Sequence, residues 1–192
     1  TLSFYPTKNL GACGDGGMVL TDRDDLAGLI KLLRFHGSGG GYFHKRIGYC
    51  SRLDGMQAAL LRVKARRLDD WNLARRRNAA LYDATLCGLE GQLILPCAEQ
   101  GNYHIYHQYT VRVPEGRREA LQKHLASRDV QSAIYYPLPI HLQEAYTFLG
   151  YKLGDLPESE RAAREVLSLP VHPELSPEQV EYAAAAVRAF FE

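Results

Sequence analysis

One lysine stands where chemistry can concentrate. Lys8 lies in Ser3-Phe4-Tyr5-Pro6-Thr7-Lys8-Asn9-Leu10-Gly11, behind an apolar and aromatic segment and ahead of Gly11, Gly14, Gly16 and Gly17. Without context a lysine is a solvated surface cation. Among apolar and aromatic neighbours, desolvation disfavours its ammonium form and frees the amine as a nucleophile. Such amines form Schiff bases with carbonyl compounds and with pyridoxal phosphate. The glycines that follow let backbone approach a flat ring or a phosphate closely.

Other chemistries find less support. Cys13, Cys50, Cys87 and Cys97 form no C-x-x-C pair, and no histidine stands at a zinc-finger spacing from two of them. They read as reduced thiols of a cytoplasmic protein. His104 and His107, three apart on an expected strand, would face opposite ways, so no shared metal is expected. The run Gly14-x-Gly16-Gly17 precedes a strand instead of following one, which removes the dinucleotide-fingerprint reading. Arg66-Arg67 and Arg75-Arg76-Arg77 are interleaved with Asp69 and Asp70. The whole chain carries 23 Lys+Arg against 22 Asp+Glu, a formal charge of +1. A solvated helix face is expected there, not a nucleic-acid surface. No apolar run approaches the roughly 18 residues of a membrane span. With 192 residues, 46% hydrophobic and 23% charged, the chain can bury a real core as one large domain or two small ones.

The elements that must position Lys8 follow from pattern. Met18-Val19-Leu20 reads as a short strand ending at Thr21, which gives a hairpin-like opening. Asp22 reads as the N-cap of a helix with Leu26, Leu29, Ile30 and Leu33 at helical spacing. From Leu53 the pattern is helical for over thirty residues, long enough to require a bend near Leu68 to Asp70, and Gly88 and Gly91 stop it. Tyr103 to Val113 is aromatic and β-branched and reads as a strand, as does Val130 to Tyr136 before Pro137 and Pro139. Arg117 to Ser127, Pro157 to Leu167 and Pro177 to Phe191 read as helices. The last opens on a capping box of Ser176 and Gln179 with Pro177 at the first helical position. An opening this rich in loops has little core of its own and is expected to pack on something outside the chain.

The blocks S-F-Y-P-T-K-N-L-G (Ser3 to Gly11) and G-D-G-G-M-V-L-T (Gly14 to Thr21) resemble the DegT/StrS family of pyridoxal-phosphate-dependent sugar aminotransferases. The likeness continues through R-F-H-G-S (Arg34 to Ser38) and I-G-Y-C-S-R-L-D-G-M-Q-A-A-L-L (Ile47 to Leu61). It resumes at I-Y-H-Q-Y-T-V-R-V, at Y-Y-P-L-P-I-H-L-Q (Tyr135 to Gln143) and at L-S-L-P-V-H-P-E-L-S-P-E-Q (Leu167 to Gln179).

The resemblance implies an α/β chain, the C-terminal half of an aspartate-aminotransferase-like (fold type I) enzyme with an α+β small domain. Residues 1–50 would end the large cofactor domain, 51–102 form a long helical connector and 103–192 the small domain. Lys8 would be the catalytic lysine that binds pyridoxal 5′-phosphate, and Ser3 would contact the cofactor phosphate. The Gly-Tyr-Asn-x-Arg segment of the family reaches across a homodimer, where its Asn serves the partner's phosphate. Here Cys50 takes that position, and a thiol is a poor donor. Arg52 either meets a sugar carboxylate or forms a structural ion pair with an acid such as Asp54. Tyr135 replaces the histidine of the His-Tyr-Pro found in relatives. Tyr136 and His141 are further substrate contacts, or, for His141, a hydrogen-bonded structural residue. The implied reaction moves an amino group, commonly from glutamate, to a keto group of a nucleotide-linked sugar, toward surface polysaccharide or glycosylated metabolites. Retention of the lysine favours transamination over dehydration, and the chain by itself is expected to be inactive. The alternative reading is a non-catalytic regulatory or interaction protein of the same family.

Overall fold

The computed structural model describes residues Thr1–Glu192, which fall into two compact units, Thr1–Asp69 and Asp70–Glu192. In the first, β1 (Leu2–Ser3) and β2 (Gly17–Met18) pair antiparallel with Leu2 opposite Met18 and Ser3 opposite Gly17. The strand expected over residues 18–21 is therefore shorter and begins one residue earlier. Helix α1 (Asp24–Leu33) follows, its N-cap being Arg23 and not Asp22; Asp24 and Asp25 lie in its first turn, where negative charge suits the dipole. Helix α2 (Gly55–Ala65) is capped by Asp54, whose Oδ1 accepts from the Met56 amide at 2.7 Å and from Gln57 at 3.3 Å.

The long helical pattern does break. It breaks at Arg66-Arg67, slightly ahead of the expected bend, and α3 then runs Leu68–Leu86. The core of the first unit is small: Phe4, Ala12 and Leu61, with Leu10 and Leu53 against them. Large apolar side chains of the same unit face outward, among them Tyr42 (97% exposed), Ile47 (96%) and Phe43 (82%).

The second unit holds the larger core. Strand β3 (Tyr109–Arg112) pairs antiparallel with β4 (Val166–Leu169), with Tyr109 opposite Leu169 and Arg112 opposite Val166. Helices α4 (Arg118–Ala126) and α6 (Pro177–Phe191) pack against each other and enclose Leu121, Leu125, Val180, Ala184 and Val187. Helix α5 (Pro157–Glu165) leads directly into β4. Helix α6 has the expected bounds and the expected reciprocal cap between Ser176 and Gln179.

Three expectations are corrected here. The strand over Tyr103 to Val113 is confined to Tyr109–Arg112, because the preceding carbonyls are taken by arginines of α3. Arg75 Nη1 donates to the carbonyls of Tyr106 and His107, and Arg76 Nη1 to that of His104 at 2.7 Å. The Arg75-Arg76-Arg77 run is thus committed to backbone, with Arg77 reaching the Leu175 carbonyl at 3.2 Å. Of the strand over Val130 to Tyr136, one bridge survives, in which Ala133 and Ser168 exchange both amide bonds; Pro137 and Pro139 then interrupt the chain. The helix expected to reach Leu167 ends at Glu165, because the Glu165 carbonyl already accepts from the Val113 amide and Val166 joins the ladder.

Candidate active site

Lys8 ends a β-turn. Its amide donates to the Tyr5 carbonyl at 2.9 Å, and Pro6 at the second position pre-sets the turn's first corner. The chain then returns, the Ala12 amide donating to the Phe4 carbonyl at 2.8 Å. Closing so tight a loop requires Gly11. A Cβ there would lie 2.2 Å from the Pro6 carbonyl oxygen. The glycines thus serve close approach within the chain: Gly14 lies against Gln57, and Gly16 against Leu53 and Phe4. Lys8 itself is half-buried, with Phe4 behind the loop in the core.

Ser3 sits on β1, and its Oγ accepts from the Tyr5 amide at 3.3 Å. Its hydroxyl proton stays free to be donated. A lysine that closes a fixed turn, and a serine on the strand leading into that turn with a hydroxyl able to donate, are the kinds of group that hold a phosphorylated carbonyl cofactor.

Two residues that sequence reasoning passed over hold this loop from α2. The Gln57 Oε1 accepts from the Cys13 amide at 2.8 Å, and the Lys64 Nζ donates to the Gly11 carbonyl. The available signal was their separation of seven residues, two helical turns, which puts both on one face.

Cys50 and Arg52 are brought together by the segment that follows α1. Cys50 bridges Phe35, the Tyr49 amide donates to the Leu33 carbonyl at 2.7 Å, and the Ser51 amide to that of Arg34 at 3.0 Å. Cys50 is exposed, and its sulfur accepts from Arg52 Nη2 at 3.5 Å. The Arg52 guanidinium carbon lies 4.9 Å from the Phe35 ring centroid. Asp54 is engaged in capping α2, so Arg52 is placed by sulfur and ring contacts. The donor set is weaker at Cys50 than an amide would make it, since the sulfur accepts from Arg52 and a thiol donates poorly.

In the second unit Tyr135 (43% exposed) and Tyr136 (66%) present adjacent rings, 5.5 Å apart at 69°. His141 behaves differently. It is buried, its Nε2 lies 3.0 Å from Glu160 Oε1, and the same oxygen accepts from the Gly154 amide at 2.8 Å. Burial pushes the Glu160 carboxyl up, but the Gly154 amide and His141 outweigh it and hold it below the usual range. Of its two readings, His141 therefore sits where a hydrogen-bonded structural residue sits, tying the segment after Tyr135-Tyr136 to α5. Sequence reasoning passed over Glu160.

The fold has close counterparts. The structure of DesV from S. venezuelae, solved in complex with a ketimine intermediate, superposes with a TM-score of 0.93 at 43% identity, covering 99% of this chain and 50% of that one. The class is thereby defined: the chain has the fold of one half of a pyridoxal-phosphate aminotransferase, a class whose cofactor is pyridoxal 5′-phosphate. The DegT/DnrJ/EryC1/StrS aminotransferase family matches residues 1–188, and the chain belongs to that family. A pleiotropic regulatory protein of Geobacillus stearothermophilus is 49% identical over the full chain, which spans 51% of that protein. A dTDP-3-amino-3,4,6-trideoxy-alpha-D-glucose transaminase of Streptomyces venezuelae is 43% identical over 99% of the chain and 49% of its own length. The chain spans about half the length of the curated relatives it matches.

Proposed function

We propose that the chain supplies the C-terminal half of an aminotransferase that moves an amino group from an amino acid, glutamate, to a keto group of a nucleotide-linked sugar. The observation that carries this is the half-buried Lys8 at the end of the Tyr5–Lys8 turn, with Ser3 on the strand that leads into that turn and bonded through its Oγ to the Tyr5 amide. The transaminase relative named for a dTDP-linked sugar supports the substrate class. The enzyme acts in the cytoplasm as a homodimer, with the Cys50 segment serving the partner.

Pyridoxal 5′-phosphate, when bound, supplies the electron sink that lets a proton leave the donor's Cα. The chain does the rest. Ser3 would donate its hydroxyl to the phosphate. Lys8 would hold the cofactor through its amine. When not bonded to the cofactor, the same amine would act as the base that takes the proton from the donor's Cα. Arg52 offers a two-pronged cation to an acidic group of the sugar nucleotide, and Tyr135 and Tyr136 offer ring faces and hydroxyls to the sugar. His141 and Glu160 support that segment from behind.

Lys8→Ala, in the enzyme completed by its N-terminal half, should abolish the visible absorbance of lysine-bound cofactor together with turnover. Retained absorbance with full turnover removes Lys8 from the role. The 192-residue chain given cofactor, glutamate and a keto-sugar nucleotide should show no turnover. The regulatory name of the Geobacillus relative favours a second reading, a non-catalytic regulator of the same family. Absence of any cofactor spectrum in the completed protein selects it.

A further inference from the structure

We infer that Gln57 and Lys64 are positioning residues, a two-point clasp through which α2 sets the place of the Lys8 amine; the inference rests on the aminotransferase reading above. The loop from Lys8 to Cys13 leaves the Tyr5–Lys8 turn, and the Ala12 amide returns it to the Phe4 carbonyl. Those bonds tie the loop to the hairpin alone. Each α2 contact instead spans more than forty residues of sequence: Gln57 to the Cys13 amide and Lys64 to the Gly11 carbonyl. The two residues are seven apart, so one face of one helix grips the loop at two points.

The helix is a firm reference for such a grip. Its N-terminus is capped by Asp54, and Leu61 on the same helix is buried with Phe4 and Ala12. The loop is shaped for the grip as well. At Gly14 a Cβ would stand 3.1 Å from the Gln57 side-chain nitrogen, so the glutamine amide lies directly on backbone. Gly11 is buried, and its carbonyl meets an ammonium, a charge-assisted bond stronger than an amide would provide. A lysine that must bind a carbonyl carbon, release it and then carry a proton has to return to one place in every cycle. A misplacement of about 1 Å costs about 10²-fold in rate, and these two side chains fix the stretch immediately after the amine.

The test is made on the holoenzyme. Lys64→Met should raise amide exchange at Ala12 and Cys13 at least about tenfold and lower kcat by about 10- to 100-fold, with KM for the sugar nucleotide within about twofold. The pH titration of the visible absorbance of lysine-bound cofactor should shift or broaden. Lys64→Arg, which keeps the cation, should recover most of the rate and the titration. Gln57→Leu tests the second contact independently and serves if Lys64→Met does not fold. Exchange and titration unchanged from wild type in Lys64→Met, or in Gln57→Leu, would overturn the clasp. A wild-type protein lacking the visible band overturns the aminotransferase reading instead, and the exchange measurement still decides whether the clasp exists.

Discussion

Gly11→Ala is the sharpest perturbation of the turn that presents Lys8. The added Cβ would stand 2.2 Å from the Pro6 carbonyl oxygen and 2.7 Å from its carbon. Ordinary carbon–oxygen contact needs a little over 3 Å, so Pro6 and Gly11 must separate by about 1 Å. Both contacted atoms are backbone, and Pro6 is locked in φ, so no flexible side chain can yield. Overpacking of this kind costs about 1–3 kcal/mol. The same 1 Å falls on the turn whose last residue is Lys8, so kcat should drop by about 10²-fold. The assay is steady-state transamination by the holoenzyme, with thermal unfolding followed in parallel. Gly28→Ala in α1 is the matched control. Nothing lies within 4 Å of its Cβ position, so it should stabilise by about 0.5–1 kcal/mol with the rate unchanged. If Gly11→Ala turns over within about twofold of wild type, the turn does not fix the amine and the reasoning fails.

Other substitutions test the second unit and the helix cap. Tyr109 Oη donates to Asp83 Oδ1 at 2.6 Å, whereas the buried hydroxyl of Tyr82, stacked on Tyr109 at 4.8 Å, has no partner. Tyr109→Phe should therefore cost about 1–3 kcal/mol in urea unfolding, and Tyr82→Phe should be neutral or stabilising; equal losses would contradict the assignment. Burial raises both phenols above the ordinary value of 10.0, and for Tyr109 the bond to Asp83 adds to it. Folded protein keeps these protons while unfolded chain releases them near pH 10. Stability should accordingly be full below pH 10 and fall as pH rises beyond it, less steeply in a Tyr82→Phe/Tyr109→Phe double variant. Asp54→Ala removes the α2 cap and should cost about 0.5–2 kcal/mol, read as a lower denaturation midpoint at unchanged slope.

Local signals were legible in the sequence where the controlling partner is also local. Ser176, Pro177 and Gln179 announce α6 within four residues, and Lys8 with its glycines announces the hairpin. Features set by distant partners were not. Val166 and Leu167 continue the helical pattern from Pro157, and pairing with β3, more than fifty residues earlier, makes them the start of a strand. Tyr103 to Gln108 has strand composition, but arginines of α3 take its carbonyls. The Asp22 cap lost to Arg23 by a shift of one residue, which composition does not resolve. At the site, residue types named Lys8 and Ser3 through a resemblance. Gln57 and Lys64 act through one backbone amide and one carbonyl, and their seven-residue spacing shows a shared helix face but not the distant loop it meets; Glu160 meets the Gly154 amide and His141, a pairing no motif marks.

The uneven cores give the α2 clasp its weight. Twenty buried residues form the cluster of the second unit, while three form that of the first. A loop resting on Phe4, Ala12 and Leu61 gains little from apolar burial, about 1.5–3 kcal/mol for each large side chain at most. Two long-range polar contacts are then a large share of what keeps Gly11 to Cys13 closed against local opening. Weakening them should register first as faster exchange in that loop. Side chains from a capped helix thus compensate, at the loop that follows Lys8, for the core the first unit lacks.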